Sequence, residues 1–413
     1  MLEKAASLIW GRTTVLLLLV TGAVYTIRYR FIQFRMFGYI FKKLKKGRNI
    51  GPQVRTMCMS LGAAMGTGNI TGVAAAIASG GAGAVFWMWV SAFLGMATVY
   101  AENSLSAKYS DTTVKGPMAY LKKGVGSPAL AAVFAICCIF TSFGMGGMIQ
   151  INCMSEIIRE CISVDSFTLS TILFIVIYLV ISGGKERIGK TAQLALPAAS
   201  MIYGALCLAV IYTEKGRLPA VFSDIICGAF GIKQAAGGAM GYTVSQAVST
   251  GIRRGIFSNE AGLGSSPLLH SSAEKCNSAQ LQGMSSMIEV FIDTMLCCSL
   301  TAITLLSSGN NSDISEALGI VSGRASEPLL AAVLTVFAFC TVIGWYYAGE
   351  SAFLYLIPKA PRKLFVCVFA LIASFGALFR SDMLWTLSDI FNGTMMIPNL
   401  IGLIFLFRHT ANE

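Results

Sequence analysis

The chain has 413 residues, of which 55% are hydrophobic and only 12% are charged, and its mean hydropathy is +0.69. A soluble globular domain carries roughly 25% charged residues, so the composition excludes that class and indicates an integral membrane protein. The net charge of +11 then predicts the orientation of the chain in the membrane rather than a nucleic acid partner.

Eleven membrane-spanning helices are predicted from apolar runs of about 20 residues each. The run at 240–271 fails a plain hydropathy test because it contains two arginines, an asparagine and a glutamate. It is included because the charges of the loops and the helix breaks described below both require it. The predicted spans are 13–28, 57–79, 83–106, 126–155, 167–183, 193–213, 240–271, 283–307, 326–356, 363–379 and 384–407.

Basic residues concentrate on one side of this predicted arrangement. Nine lysines and arginines lie between Arg28 and Arg55, in the loop after the first helix. Because basic loops are retained in the cytoplasm, this loop is predicted to be cytoplasmic, the N-terminus external and the C-terminal tail cytoplasmic, in a multi-pass protein of the cell membrane. Over all loops, twenty-one basic residues fall inside and eight outside. Omitting segment 240–271 would move the Lys359 loop outside.

The stretch G-T-G-N at Gly66–Asn69 interrupts an otherwise apolar span. Irregular backbone at membrane depth is tolerated only where protein or a water-filled cavity covers it. The two glycines beside an asparagine therefore predict a functional break in the helix. The alternative is close helix packing, because G-x-x-x-G spacing begins at Gly62 and again at Gly68.

A second segment of the same character, Gly251 to His270, follows five helices later. Paired breaks at matching positions in two halves are typical of inverted-repeat transporters with a midplane site, and five helices reverse the direction of the chain. The predicted organisation is an N-terminal helix and basic loop at 1–56, a first repeat at 57–213, an extracellular connector at 214–239, a second repeat at 240–407 and a tail at 408–413.

Longer motifs resemble those of a known family. They are G-T-G-N-I-T-G-V-A-A-A-I-A-S-G-G-A-G-A-V-F-W-M-W from Gly66, A-E-N-S-L-S-A-K-Y ending at Tyr109, Q-x-N at 150–152, G-G-K-E-R-I-G-K at 183–190, R-G-I-F-S-N-E-A-G-L-G-S-S-P from Arg254, V-F-I-D-T at 290–294, T-V-I-G-W-Y-Y-A-G-E at 341–350, and S-D-I-F-N-G and I-P-N-L-I-G between Ser388 and Gly402. On these motifs the chain is similar to the alanine or glycine:cation symporter family. The resemblance implies an all-α integral membrane, leucine-transporter-type fold of five plus five inverted helices behind one extra N-terminal helix. The chain departs from the family pattern at Thr71 and Ser266, where alanine is expected more often.

An amino acid substrate is a zwitterion, so its site must replace water around a carboxylate, an ammonium group and a cation. Free N–H groups of a broken helix suit the carboxylate, which predicts the backbone of Thr67 and Gly68 there. Phe257 is expected to line the apolar side, although it could equally be ordinary core, and Trp345 is expected to limit substrate size rather than to anchor at the lipid interface. The predicted substrate-binding residues are Gly66, Thr67, Gly68, Asn69, Gln150, Phe257, Thr341 and Trp345.

The cation is expected beside the substrate carboxylate, because the side-chain oxygen of Asn69 is a hard ligand of the kind a small cation prefers. A helix-capping role for Asn69 is the alternative. Resemblance to the wider fold implies Ser258 as its counterpart across the site, where F-S opens the second break. The predicted cation-binding residues are Met65, Asn69, Ser258 and Thr341.

Acidic residues inside the spans are costly unless paired or hydrated. Glu260 is expected to pair with one of the two neighbouring arginines, and Asp293 to hold a helix contact or a proton. The others are expected to belong to structural networks. The five residues are Glu102, Glu260, Asp293, Glu350 and Asp389.

The sequence thus predicts a secondary transporter, not an enzyme, that couples Na⁺ influx to uptake of alanine or glycine. Glutamine as the solute, or H⁺ as the ion, is the alternative. A channel is disfavoured because no repeated carbonyl or charged ring suits a filter. An intramembrane enzyme could use only Ser265, His270 and Glu260, whose spacing is poor. No cofactor beyond the co-transported ion is expected, the lipid bilayer is the surrounding partner, and the oligomeric state, a monomer included, stays open.

Overall fold

The computed structural model of the chain is all-helical and describes residues 2–36, 38, 51–111, 113–231, 240–270, 279–309 and 313–410, with backbone only at 12, 51–55 and 240–243. Much of the predicted basic loop after the first helix lies outside the described residues. So do most of the cytoplasmic loop with Lys275 and part of the extracellular connector.

The α-helices are numbered here in chain order. They are α1 Leu2–Ile9, α2 Arg12–Arg28, α3 Gly51–Ala64, α4 Thr71–Gly80, α5 Gly83–Tyr109, α6 Gly116–Ala119, α7 Pro128–Phe143, α8 Ile149–Cys161, α9 Ser166–Ser182, α10 Gly184–Thr213, α11 Leu218–Phe230, α12 Met240–Asn259, α13 Ser265–His270, α14 Ala279–Val290, α15 Ser299–Ser308, α16 Ile314–Ser322, α17 Ser326–Leu356, α18 Arg362–Phe375 and α19 Ser381–Phe405. Wider π-helical turns join α7 to α8 at Gly144–Met148 and α14 to α15 at Phe291–Cys298.

Several helices begin at side chains that satisfy the free N–H groups of the first turn. Ser127 accepts a hydrogen bond from the amide of Leu130 at the start of α7, and Asp165 accepts from two amides at the start of α9. Such caps are worth about 1 kcal/mol each. Gly231 ends α11 in the left-handed conformation that favours glycine.

Among the described residues, 7 helical segments are long and apolar enough to cross a membrane. The predicted spans 57–79 and 240–271 are not among them. The first is broken into helices of 14 and 10 residues, and in the second the 20-residue helix α12 is too polar. The spans at 167–183 and 363–379 correspond to α9, with 17 residues, and α18, with 14. The multi-pass membrane class is therefore supported, whereas the count of eleven and the repeat are not established by this criterion. The 7 segments are Leu2–Arg28, Gly83–Tyr109, Pro128–Cys161, Gly184–Thr213, Ala279–Ser308, Ile314–Leu356 and Ser381–Phe405.

Two long helices form the centre of the packing. Helix α5 packs against α12 and α14, and α17 packs against α7, α8 and α10. The peripheral helices α9 and α10 instead expose large apolar side chains such as Phe167 and Leu194, which are 74% and 80% exposed. In so apolar a chain, these exposed faces are those that lipid would cover.

Both predicted breaks are present. Helix α3 ends at Ala64, residues 67–69 form a single 3₁₀ turn, and α4 resumes at Thr71. The second break begins later than predicted, because Phe257 and Ser258 still belong to the last turn of α12. Its irregular residues are 260–264, where Glu260, Gly262 and Gly264 all have positive φ. The two broken helices meet where α12 packs against α4 and the 3₁₀ turn.

Candidate functional site

The first break is closely surrounded by side chains from other helices. A Cβ atom on Gly66 would lie 2.6 Å from Thr341 Oγ1 and 2.7 Å from Gln150 Oε1, and one on Gly68 would lie 2.9 Å from the Phe257 ring. Three predicted substrate-binding residues, from three different helices, therefore converge on the two glycines. Glycine is needed at 66 and 68 because these side chains, and not only a ligand, approach the backbone.

The packing alternative for these glycines is not supported at Gly72, where a Cβ atom would meet nothing within 4 Å. At Gly62 the nearest atom would be Cys340 Cβ at 3.4 Å, which is an ordinary contact. The crowded glycines are those of the break itself, Gly66 and Gly68. Their spacing is thus explained by the site rather than by a G-x-x-x-G helix interface.

Gln150 contacts the backbone that was predicted to hold the substrate carboxylate. Its Oε1 accepts hydrogen bonds from the amide and from the hydroxyl of Thr67, both at 3.0 Å. Its Nε2 donates to the Met145 carbonyl at 3.2 Å, across the π-helical turn before α8. In this conformation the Gln150 amide oxygen uses the two donors that a carboxylate would use.

Asn69 connects the first break to Asp293. The Asn69 side-chain amide donates to Asp293 Oδ1 at 2.6 Å and to the Asp293 carbonyl at 3.0 Å, while its Oδ1 accepts from the Gly66 amide at 3.1 Å. The last contact is a helix-capping contact of the kind given as the alternative, and the cation-binding role of Asn69 stays a prediction. The backbone carbonyl of Asn69 accepts from the Thr301 hydroxyl at 2.8 Å.

Ser258 reaches the same carboxylate from the second broken helix. Its hydroxyl donates to Asp293 Oδ2 at 2.5 Å and lies 3.1 Å from Cys298 Sγ. Thr294 also donates to Asp293 Oδ2, at 2.8 Å. Asn69 and Ser258, predicted as partners, are therefore joined through Asp293, which is fully buried. Among the described residues, no lysine, arginine or histidine forms an ion pair with it.

The predicted cation-binding residues fall into two groups in the structure. Asn69 and Ser258 meet at Asp293, whereas Thr341 lies beside Gly66 and Gln150. The Thr341 hydroxyl donates to the carbonyls of Gly62 and Phe337, each at 3.1 Å. Met65 is buried next to the break.

Phe257 and Trp345, the two residues predicted to form apolar surfaces of the site, have different neighbours. The Phe257 ring packs on Gly68 and lies 4.8 Å from the Trp385 ring, measured between centroids. Trp345 is 1% exposed, packs on Gly146 and donates from Nε1 to Glu260 Oε1 at 2.7 Å. A buried indole of this kind is not at a lipid interface.

The expected pairing of Glu260 with an arginine is wrong. Glu260 accepts from Trp345 and, at 2.5 Å, from the Ser265 hydroxyl. Both arginines lie nearer Asp389, with N···O distances of 3.6 Å for Arg253 and 3.9 Å for Arg254. The break at Glu260 turns its side chain away from the helix that carries the arginines.

Residues missed as site residues by sequence reasoning are the partners of Asn69. Asp293 was identified only as a buried acid with a helix contact or a proton, and Cys298, Thr294 and Thr301 were not identified. The available signal was the V-F-I-D-T motif, which places a carboxylate inside an apolar span. The π-helical geometry that turns Asp293 toward both breaks has no sequence signal of its own.

A cavity of about 710 Å³ opens on one side of the first break. Its lining includes Thr71 and Cys153, and the Thr71 hydroxyl donates to the Thr67 carbonyl at 2.8 Å. Four carboxylates lie among the remaining lining residues. A solute in this cavity would thus be one helical turn from the Thr67 backbone. The carboxylates are Glu156, Glu160, Asp313 and Glu327.

Comparison with known proteins places this arrangement in a family. The model of the sodium:alanine symporter family matches residues 1–413. The chain belongs to this family. It is 35% identical to the sodium/alanine symporter AgcS of Methanococcus maripaludis over 98% of this chain and 94% of that protein. It is also 35% identical to the probable sodium/glutamine symporter GlnT of Bacillus subtilis, over 98% and 87% of the two chains.

A third relative, the putative sodium/proton-dependent alanine carrier protein YrbD of Bacillus subtilis, is 32% identical over 97% of this chain and 89% of its own length. Members named for alanine and for glutamine are thus about equally similar to this chain. Family membership identifies a membrane transporter rather than an enzyme.

Proposed function

We propose that this protein is a secondary active transporter that couples Na⁺ influx to uptake of alanine or glycine by alternating access. Membership of the sodium:alanine symporter family and the activities for which its relatives are named support the reaction class. The observation that supports it most directly is the buried Asp293 carboxylate, which joins the two broken helices through Asn69 and Ser258.

A buried carboxylate without a basic partner is costly unless something offsets its charge. Asp293 receives three side-chain donors but forms no ion pair among the described residues. A small cation bound against Asp293 and the oxygen of Ser258 would supply the missing charge, and carboxylate and hydroxyl oxygens are suitable ligands. Asp293 is therefore proposed as an addition to the Na⁺ site of Asn69 and Ser258, with Thr341 and Met65 on the other side of Gly66.

The substrate is proposed to bind with its carboxylate at the Thr67 and Gly68 backbone. In the structure, Gln150 Oε1 accepts hydrogen bonds from the Thr67 amide and hydroxyl. A substrate carboxylate would replace Gln150 as the acceptor, because its charge-assisted bonds with the same two donors are stronger. The released glutamine amide would then be free to contact the substrate. Trp345 and Phe257 would limit the side-chain space, which favours alanine or glycine over a larger solute.

The chain architecture proposed with this function is eleven spans, with inverted repeats at 57–213 and 240–407. The extra helix and basic loop at 1–56, the connector at 214–239 and the cytoplasmic tail at 408–413 complete it. Broken helices at α3–α4 and α12–α13 would open the two repeats, as expected for a midplane site. The N-terminus would be external.

The energy released by one Na⁺ entering the cell is enough to accumulate the solute against a concentration gradient. One Na⁺ moving through about 100 mV gains about 2.3 kcal/mol, and a tenfold concentration gradient adds about 1.4 kcal/mol. The resulting total of about 3.7 kcal/mol allows a solute ratio of several hundredfold, at 1.4 kcal/mol per tenfold. A zwitterion adds no net charge, so uptake should be electrogenic.

The test is uptake of radiolabelled alanine, glycine and glutamine into proteoliposomes under an imposed Na⁺ gradient, an imposed H⁺ gradient or neither. Uptake of alanine or glycine that requires Na⁺, increases with inside-negative potential and disappears in Asn69→Ala would support the proposal. Preferential glutamine uptake would favour the activity named for GlnT. Accumulation driven by the H⁺ gradient alone would mean that H⁺, and not Na⁺, is the coupled ion. Failure to accumulate any solute in a broad amino acid screen would contradict symport.

A further inference from the structure

A cavity of about 240 Å³ lies at the predicted cytoplasmic ends of α2, α5 and α14, far along the chain from the breaks of the substrate site. It is smaller than the pocket of a drug-sized ligand, which measures about 300–1,000 Å³, so it suits one small polar group. The segment after α19, residues 407–410, contributes two of the lining residues. The lining residues are Tyr29, Tyr100, Ser104, Leu105, Lys108, Ala279, His409 and Thr410.

The wall that α5 forms carries hydrogen-bond donors. Ser104 and Lys108 are four residues apart and so share one face of the helix. The Ser104 hydroxyl is buried and has no hydrogen-bond partner among the described residues. Lys108 Nζ donates to the His409 carbonyl at 3.0 Å, and an ammonium group can donate two more hydrogen bonds. The cavity therefore suits a ligand that accepts hydrogen bonds.

Three basic side chains meet at the cavity, and their partners are neutral. Arg28 Nη2 donates to the Thr410 carbonyl at 3.4 Å, and Arg35 Nη2 donates to the Tyr29 carbonyl at 2.5 Å. In the part of the chain that the structure describes, none of Arg28, Arg35 and Lys108 forms an ion pair with a carboxylate. A negatively charged acceptor would form stronger, charge-assisted hydrogen bonds with such donors.

The carboxylates that precede and follow Lys108 on or near α5 are engaged elsewhere. Asp111 pairs with Lys123, at 2.5 Å between Oδ2 and Nζ. Glu102 is fully buried and accepts a hydrogen bond from Asn399 at the second break. Neither supplies a negative charge to the cavity, so an anionic ligand is expected there.

The position of the cavity favours a lipid as the source of this anion. Helix α2 exposes a row of apolar side chains that lipid would cover, and the row reaches Ile27, which is 67% exposed. Arg28 and the cavity residue Tyr29 follow directly. The cavity thus lies at the level where the hydrocarbon-facing surface ends, and basic pockets between membrane helices on the cytoplasmic side bind the head groups of anionic lipids.

We propose that this cavity binds the phosphate group of an anionic phospholipid of the cytoplasmic leaflet. The Ser104 hydroxyl and Lys108 Nζ donate hydrogen bonds to phosphate oxygens, and Arg28 and Arg35 add positive charge beside them. Because Lys108 and Arg28 also hold carbonyls of the segment 407–410, the bound phosphate fastens this segment to α2 and α5. Binding therefore stabilises the folded protein, whatever solute it transports.

The test compares lipids whose head groups differ in charge. The purified protein in non-ionic detergent is titrated with phosphatidylglycerol or with net-neutral phosphatidylcholine of the same acyl chains, and bound lipid is counted by native mass spectrometry. We expect tighter binding of phosphatidylglycerol, weakened about fivefold by Lys108→Gln, which is the effect of one basic residue near a membrane surface. Lys122→Gln should bind like the wild type. It is the matched control, because Lys122 is also exposed on the predicted cytoplasmic side but lies over the Tyr355 ring.

A second variant separates lipid binding from attachment of the segment 407–410. Lys108 also holds the His409 carbonyl, whereas the Ser104 hydroxyl has no such contact. Ser104→Ala should bind phosphatidylglycerol about twofold or more weakly, because one hydrogen bond is lost, and should melt like the wild type in detergent without lipid. Equal phosphatidylglycerol affinities of the wild type, Lys108→Gln and Ser104→Ala would overturn the site.

A soluble phosphate is distinguished from a lipid by thermal unfolding. Phosphatidylglycerol should raise the melting temperature of the wild type and not that of Lys108→Gln, while inorganic phosphate should leave both unchanged. If inorganic phosphate alone raises the wild-type melting temperature through Lys108, and phosphatidylglycerol adds nothing, the cavity takes a soluble anion and the lipid assignment is wrong. These measurements need no transport, so they stand whether or not the proposed function does.

Discussion

Gly66 and Gly72 lie six residues apart in the same broken helix, but their surroundings are opposite. A Cβ atom on Gly66 would lie 2.6 Å from the Thr341 hydroxyl, whereas one on Gly72 would meet nothing within 4 Å. Overpacking of this kind costs about 1–3 kcal/mol, and alanine in an unobstructed helix is favoured over glycine by about 0.5–1 kcal/mol. The first substitution should therefore harm the site and the second should not.

We expect Gly66→Ala to reduce alanine uptake about tenfold or more, which corresponds to about 1.4 kcal/mol. Gly72→Ala should transport like the wild type and unfold at the same or a higher temperature. Uptake is measured per amount of monodisperse protein in the liposomes. Equal activity of both variants would mean that Gly66 is not close to the transported solute.

Asp293 allows a second prediction at the scale of one residue. Asp293→Asn keeps the size of the side chain but removes the charge proposed to hold Na⁺, so the Na⁺ concentration for half-maximal uptake should rise about tenfold or more. Thr294→Val is the control, because it removes one donor to Asp293 Oδ2 and leaves the carboxylate. Identical Na⁺ curves for Asp293→Asn and the wild type would exclude Asp293 from the cation site.

At the scale of helices, local sequence predicted where regular backbone ends but not the contacts that Asp293 and Glu260 make there. Glycine and asparagine at 66–69 signalled the first break, because their conformational preferences are local. The second break was placed too early, at Phe257, since the positive φ of Glu260 has no local cause in its side chain. The contacts of Asp293 with Asn69 and of Glu260 with Trp345 span 224 and 85 residues, and such pairings follow only from tertiary packing.

The second break is anchored to α19 by Asn399. Its side-chain amide donates to Glu102 Oε1 at 2.6 Å and to the Gly262 carbonyl at 2.9 Å. Asn392, two turns earlier in the same helix, is equally buried, and neither atom of its amide has a partner among the described residues. Asn399→Ala should therefore cost about 1–3 kcal/mol because it leaves buried groups unpaired, while Asn392→Ala removes an amide that makes no such contact.

Thermal unfolding in detergent measures this difference between two asparagines of one helix. Asn399→Ala should have a clearly lower melting temperature than Asn392→Ala, and a smaller loss is expected for Asn399→Asp at acidic pH, where the acid can still donate to Glu102. Equal melting temperatures for the two alanine variants would show that the break is held by other contacts.

For the whole molecule, native cysteines can test the orientation in the membrane that the distribution of basic loops predicts. Cys161 is exposed at the end of α8, on the side predicted to be external. Cys276 belongs to the predicted cytoplasmic loop at 272–282 and lies outside the described residues. Cys367 is also exposed, but it lies within the apolar α18, where lipid suppresses the reactive thiolate.

A membrane-impermeant maleimide applied to intact cells should therefore label Cys161 and leave Cys276 unlabelled until the membrane is permeabilised. Because half-buried Cys227 lies in the predicted external connector, the experiment is made in a Cys227→Ser background. There Cys161→Ser should abolish the label on intact cells, and Cys367→Ser should not change it. If Cys276 is labelled on intact cells and Cys161 only after permeabilisation, the predicted orientation of the whole chain must be reversed. An odd number of spans separates every external loop from its cytoplasmic neighbour, so all loops would change sides together. Labelling of both cysteines from outside would instead mean that one span fewer lies between residues 161 and 276. The segment at 240–271, with its half-buried arginines and broken helix, would be the one to reconsider.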